Sequence, residues 1–478
     1  MPDIHPTRRA FLTTLAAGAV TSHLPASAQE KRRKPNLVFC FTDQQRAQAT
    51  GYGGNPVVKT PHLDALAGQS VNFVNAVSGW PVCSPYRATL MTGQHPHSHG
   101  VFLNDVPLGD EAVSFAQALG GAGYNTGYIG KWHIGGRGRA SYIEPEHRQG
   151  FDFWRVLECS HNYNNSFYYG NDNVRQKWEG YDAIAQTRVA EQYIRDHADD
   201  DEPFALFLSW GPPHNPYETA PEKYRAMYPK ENVDLRSNVP AEMADRARKD
   251  IAGYYAHCTA LDDCTGDLLK TIDELGIAED TIFVYTSDHG DMLGSQGQQR
   301  KQRPWDESIR VPFLLRYPRA LGESGREMTF PINSPDIMPT MLSFCGVDIP
   351  ETVEGRDRSG RIITNDDGGE VAALLSCHSP FGEWTRKNGG REFRGVRTVR
   401  YTYTRTLDGP WLLFDNEQDP EQLDNLCNKP EHADLQAHLE TLLQRELDHA
   451  NDEFLPGEEY IKQWNYAVNE NGTMPTTA

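Results

Sequence analysis

Five short apolar runs constrain this chain more than any other feature. They fall at residues 36–42 (NLVFCFT), 125–129 (NTGYI), 204–210 (FALFLSW), 281–287 (TIFVYTS) and 311–316 (VPFLLR). They lack polar alternation, as strands buried on both faces do. Helical stretches, among them 181–196 and 251–275, lie between them. Such β–α alternation predicts an α/β fold: a mostly parallel sheet covered by helices on both faces. The chemistry gathers just past the runs. FCFT leads into Asp43 and Gln44, VYTS into Asp288 and His289, YIG into Lys131, and LSW is soon followed by His214. Ligands of open parallel sheets bind at the carboxyl ends of strands, so these groups are expected to meet at one sheet edge.

The character changes after about residue 359. A loop at 365–369 (NDDGG) precedes a segment, 394–404 (RGVRTVRYTYT), that reads as one strand with polar alternation. Such a strand suits an antiparallel sheet with one wet face. A helix over 433–450 follows. The expected division is a catalytic domain at 35–370 and a smaller C-terminal subdomain at 371–478, with an antiparallel sheet and a helix.

Ahead of both stands a processing segment. Arg8 and Arg9 form a twin-arginine pair, residues 10–20 are apolar, and Ala26-Ser27-Ala28 has the form of a cleavage site. The apolar run is too short to span a bilayer. Residues 1–28 are therefore expected to be a twin-arginine signal peptide, with the folded chain passed to the twin-arginine export machinery and placed in the periplasm or outside the cell. The 478 residues carry a net charge of -20, which opposes binding to nucleic acid or broadly to an anionic membrane. No stable membrane insertion is expected. An anion can still bind in a pocket, whose field is set by a few local groups. Eight cysteines include no CxxC pair, which argues against a zinc ribbon, and Cys40 lies in an apolar run as a core thiol would.

The segment 83–93 reads CSPYRATLMTG. Ser84 is a good N-cap residue, Pro85 suits the first helical position, and Gly93 suits a helix stop. Cys83 is thus placed at the mouth of a short helix, where backbone N–H groups favour an anion. The segment resembles the signature of the formylglycine-dependent (type I) sulfatases of the alkaline phosphatase superfamily. PNLVFCFTDQQ, GYIGKWHIG, TSDHGD and RKQRPWDESIRVPF resemble further motifs of that family, as do SPDIMPTMLSFCGVDIP and FDNEQDPEQLDNL. The resemblance spans nearly all of the chain after the signal segment. It implies an alkaline-phosphatase-like α/β/α sandwich with a large mixed sheet.

The resemblance also implies a chemistry. Cys83 is converted by a formylglycine-generating maturation enzyme, and the hydrated aldehyde attacks the sulfur of a sulfate ester. A second hydroxyl then lets sulfate leave, an exit that a serine lacks. Asp43, Gln44, Asp288 and His289 hold a divalent metal together with residue 83. Calcium is the expected ion from the oxygen-rich set. Gln44 and His289 depart from the commoner aspartate and asparagine, and imidazole also suits zinc or manganese. Arg87 orients the nucleophile, while Lys131 and Lys301 clamp sulfate oxygens. His133 is the candidate base and His214 the candidate acid or sulfate contact. Asn104 and His161 are expected at the substrate, His161 within an Asn/Tyr-rich loop (SHNYNNSFYYGND) suited to a sugar. His95, His97 and His99 (HPHSH) are read as shaping the pocket, against a minor zinc reading. The expected substrate is a sulfated carbohydrate or a smaller sulfate ester. A phosphonate monoester or phosphodiester hydrolase, an aryl or choline sulfatase, and an unmodified sugar-binding relative are the competing readings.

Overall fold

The computed structural model describes residues 34–475. The expected export segment at 1–28 lies outside the described residues. Lys34 onward forms one compact unit. Among the described residues, no helix is long and apolar enough to cross a membrane.

A ten-stranded mixed sheet organises the chain. In spatial order its strands are Arg326–Met328, Val71–Phe73, Phe313–Arg316, Thr281–Ser287, Asn36–Asp43, Phe204–Pro213, Asn125–Lys131, Phe153–Leu157, Phe167–Tyr169 and Arg175–Lys177. The block from Thr281–Ser287 to Phe153–Leu157 is parallel throughout. Phe313–Arg316 joins antiparallel to Thr281–Ser287.

Alternate residues of the central strand explain why both faces are apolar. Leu37, Phe39 and Phe41 pack with Tyr86, Ala88 and Leu90 of the Cys83–Thr92 helix and with Met338 and Met341 of the Ser334–Phe344 helix. Val38 and Cys40 face the other way, onto Ala190 and Ile194 of Asp182–His197 and Tyr254, Cys258 and Leu261 of Ala244–Glu274. The result is an α/β/α sandwich. Close strand contact needs Gly130, whose φ is 103° and whose added Cβ would strike the Ser209 carbonyl. None of the eight cysteines is paired in a disulfide, and Cys40 is fully buried.

The C-terminal region corrects one expectation. Residues 394–404 are not one strand. Phe393–Arg397 and Tyr401–Thr406 are consecutive antiparallel strands of a four-stranded sheet that also holds Ala373–Cys377 and Gly409–Asp415. Neither face of the Phe393–Arg397 strand is wet. Val396 and Tyr403 pack on Leu439, Leu443 and Leu447 of the Ala433–Ala450 helix, while Leu375, Cys377 and Phe393 join the main core. The polar residues that suggested a wet face are internally paired. Arg394 is bound to Asp452, and Arg397 Nε donates to Asp306 at 3.1 Å. Periodicity alone cannot distinguish a solvated arginine from one buried against a carboxylate.

Candidate active site

The carboxyl ends of three parallel strands meet the mouth of the Cys83–Thr92 helix. The helix starts two residues earlier than the sequence implies. Val82 is the N-cap residue and Cys83 is the first helical residue, so Ser84 does not cap. The cap comes from elsewhere in the chain: Asn104 Oδ1 accepts the Ser84 N–H at 3.1 Å. Gly93 closes the helix in the left-handed region, as expected.

Cys83 Sγ lies 3.3 Å from His289 Nε2 and 3.6 Å from Asp43 Oδ1, and Lys301 Nζ donates to it at 3.3 Å. Arg87, one helical turn on, binds both aspartates through one nitrogen, at 3.3 Å to Asp43 and 3.0 Å to Asp288. Its other terminal nitrogen donates to Ser209 Oγ at 2.6 Å and the Lys131 carbonyl at 2.8 Å. Lys131 Nζ donates to Asp43 Oδ2 at 2.6 Å. All these side chains are buried.

Burial sets the protonation states. It opposes ionisation of Asp43, but Lys131 above all, with His214, Lys301 and His289, outweighs it and holds that carboxyl well below its usual value. Burial, helped by Asp43, pushes the Cys83 thiol up to about 12. At neutral pH that thiol is protonated, and a protonated thiol is a poor nucleophile. Burial likewise lowers His289, His133 and His214, the last also through Lys301 and His161.

The donor set fits a divalent cation. Asp43, Cys83, Asp288 and His289 each offer an atom, all within 4.8 Å of one another. His289 Nδ1 lies 2.9 Å from the Gly290 carbonyl, which as acceptor fixes the proton there and leaves the Nε2 lone pair facing the centre. Gln44 turns into the site from a left-handed backbone, φ 76°. Its Nε2 donates to Asp291 Oδ2 at 2.7 Å, so Oε1 faces Lys301 Nζ at 3.0 Å.

A cavity of about 620 Å³ opens above this floor. Lys131, Lys301, His133, His214, Asn104 and His161 all line it. His161 stacks on His214 with ring centroids 4.3 Å apart. His214 Nδ1 faces the Asn215 carbonyl at 2.9 Å, which leaves Nε2 free for the cavity. His133, in the left-handed region at φ 62°, places Nε2 3.2 Å from Asp105 Oδ1. The HPHSH segment does not line this cavity. Pro96–His99 is a helical turn rather than a strand, and His99 Nε2 contacts Thr89 at 3.0 Å on the side of the helix. The sequence reading missed Asp105, Arg139, Glu383 and the 469–475 tail, which also line the cavity. Asp105 adjoins Asn104 and could have been suspected; the tail carries no local signal.

A sheet edge bearing two aspartates, a histidine and two buried lysines around a helix-mouth residue defines an anion-binding hydrolase site. The chain belongs to the sulfatase family: the family model "Sulfatase" matches residues 35–347, and that of "N-sulphoglucosamine sulphohydrolase, C-terminal" matches 294–449. It is 45% identical to an ulvan-active sulfatase of Formosa agariphila, over 93% of this chain and 87% of that one. It is 28% identical to an endo-4-O-sulfatase of Bacteroides thetaiotaomicron, over 89% and 94%. The solved Bacteroides fragilis protein yidJ superposes with a TM-score of 0.80 at 32% identity, covering 91% of this chain and 99% of that one. The chain is a sulfuric ester hydrolase of alkaline-phosphatase-like fold.

Proposed function

We propose that this sulfatase removes sulfate from a sulfated polysaccharide, using formylglycine at position 83 and a divalent cation, calcium foremost. The observation that carries this reading is the meeting of Cys83, Lys131 and Lys301 at the floor of one polar cavity, backed by the buried Asp43 and Asp288. Its volume of about 620 Å³ suits a sugar residue with its neighbour. The Formosa relative is named for ulvan, and a polysaccharide of that class is the substrate proposed here.

Asp43, Gln44, Asp288 and His289, with residue 83, would hold the cation, which supplies charge neutralisation for the sulfate group. Formylglycine supplies a hydrated oxygen nucleophile where Cys83 Sγ stands. Lys131 and Lys301 act as point charges on sulfate oxygens, in a buried site where such charges are strong. Arg87 keeps Asp43 and Asp288 apart and oriented. His214 Nε2 holds the proton taken by the leaving alcohol; the negative charge of a bound sulfate ester opposes the lowering caused by burial. His133 Nδ1, buried without a hydrogen-bond partner among the described residues, is the atom placed to accept a proton during breakdown. Asn104 and His161 contact the sugar from the cavity wall. A formylglycine-generating enzyme matures the chain, and the twin-arginine machinery exports it.

The test is a screen of sulfated oligosaccharides, with sulfate release compared against phosphodiester and phosphonate ester cleavage on one preparation. Sulfate release from an oligosaccharide supports the reading. Faster phosphodiester cleavage overturns it, as does an unmodified thiol at position 83 in active protein from the native host.

A further inference from the structure

A second cluster of metal-ligating side chains lies on the far side of the nucleophile helix. His97 comes from the helical turn Pro96–His99. His378 follows directly on the strand Ala373–Cys377, and Asp452 lies two residues beyond the helix Ala433–Ala450. One ligand atom from each lies within 4.8 Å of the others. His378 is 1% exposed.

The hydrogen bonding of this cluster is incomplete in a particular way. His378 has no partner among the described residues at either ring nitrogen, although both are buried. One of them must carry a proton if the ring is neutral, so burial leaves a donor and an acceptor unmet. His97 is half-buried, and its Nε2 faces the Ala450 carbonyl at 2.8 Å. That carbonyl can only accept, which fixes the proton on Nε2 and leaves a lone pair on Nδ1. Nδ1 too is buried without a partner. A backbone carbonyl on the outer nitrogen is how ligating histidines are held. The rings lie 5.7 Å apart at 27°. His378 Nε2 stands 3.8 Å from Asp452 Oδ2, wide enough for an ion between them.

We propose that His97, His378 and Asp452 form a second metal site, for a zinc-class transition ion, which ties the turn after the nucleophile helix to the C-terminal sheet and helix. The donors decide the ion. Two imidazoles and one carboxylate suit zinc or its neighbours, whereas calcium takes six or more oxygens. Asp452 already accepts from Arg394, from Tyr460 Oη at 2.8 Å and from the Phe454 amide at 2.9 Å. Its charge is therefore shared, which further disfavours a hard cation. The role is structural: no atom of the three lines the cavity above Cys83.

The experiment is equilibrium dialysis of the chelator-stripped full chain against zinc, with calcium in excess to occupy the Asp43–Asp288 site. One zinc per chain is expected. It is expected to weaken at least about tenfold in His97→Ala and to persist in His289→Ala. Zinc is also expected to raise the melting temperature of the parent protein and not that of His97→Ala. His97 is only half-buried, so its variant decides the matter even where His378→Gln fails to fold. Unchanged zinc binding in His97→Ala, zinc lost in His289→Ala instead, or no zinc bound at all would each overturn the proposal.

Discussion

Asn104 caps the helix that Cys83 begins, its Oδ1 accepting the Ser84 amide at 3.1 Å. Val82, the N-cap residue itself, offers no side-chain oxygen. Asn104→Ala is expected to lower stability by about 1 kcal/mol, the usual worth of such a cap, and to lower kcat because the helix mouth loses its anchor. Asn104→Asp keeps an acceptor and should retain most of the stability. Thermal unfolding and sulfate release on the same preparations check both outcomes.

Cys83→Ala removes the proposed nucleophile and should leave the fold undisturbed, since the residue adds little packing volume. Turnover is expected to fall on the order of 10³-fold or more with the melting temperature nearly unchanged. An active Cys83→Ala protein would refute the assignment.

The Arg87 guanidinium is shared by Asp43 and Asp288 within one buried cluster. Arg87→Met leaves those carboxylates partly uncompensated, and breaking such a buried pair costs about 3–5 kcal/mol. Denaturant unfolding measures the loss. Excess calcium should recover part of it, because a cation held by the same carboxylates replaces some of the missing charge.

Lys131 and Lys301 are expected to act on the transition state. Each Lys→Ala change should lower kcat about 10²–10³-fold, the usual effect of removing one preorganised donor. Lys131→Arg should not restore the rate, because a planar guanidinium cannot occupy the place of a compact ammonium 2.6 Å from Asp43. Steady-state kinetics on a soluble sulfate ester provide the comparison.

Glu158 gives a pH signature. Its Oε1 accepts the Gly135 and Gly136 amides just after His133, while Oε2 is buried without a hydrogen-bond partner among the described residues. Burial raises the carboxyl to about 7. An acid whose folded pKa is raised stabilises the fold fully below its unfolded value, near 4.5, and loses that contribution as pH rises to about 7. Glu158→Gln keeps the acceptor and removes the charge. It should therefore be more stable than the parent at pH 8, by on the order of 2–3 kcal/mol, with the difference vanishing near pH 4. Melting curves across that range test the sign.

Legibility in the sequence followed how local each cause is. The five apolar runs all became strands of one sheet, because burial of both faces writes itself into consecutive residues. Asp43, Lys131 and Asp288 were readable as strand-end groups, and they do meet. Ser84 was misread because a local cap rule cannot see Asn104 arriving from another loop. Residues 394–404 were misread because Arg394 and Arg397 look solvated until Asp452 and Asp306 are in view.

The sequence by itself determined the α/β class, the strand-forming apolar runs and the polar groups just past their ends. These follow from periodicity and adjacency, which act over a few residues. Only the tertiary structure decided which polar groups share a charge. Arg87 between Asp43 and Asp288, Gln44 turned by Asp291, and His378 beside His97 and Asp452 all join residues far apart in the chain. Buried charges and buried donors are tolerated only with partners, and in these three cases the partners come from elements distant in sequence.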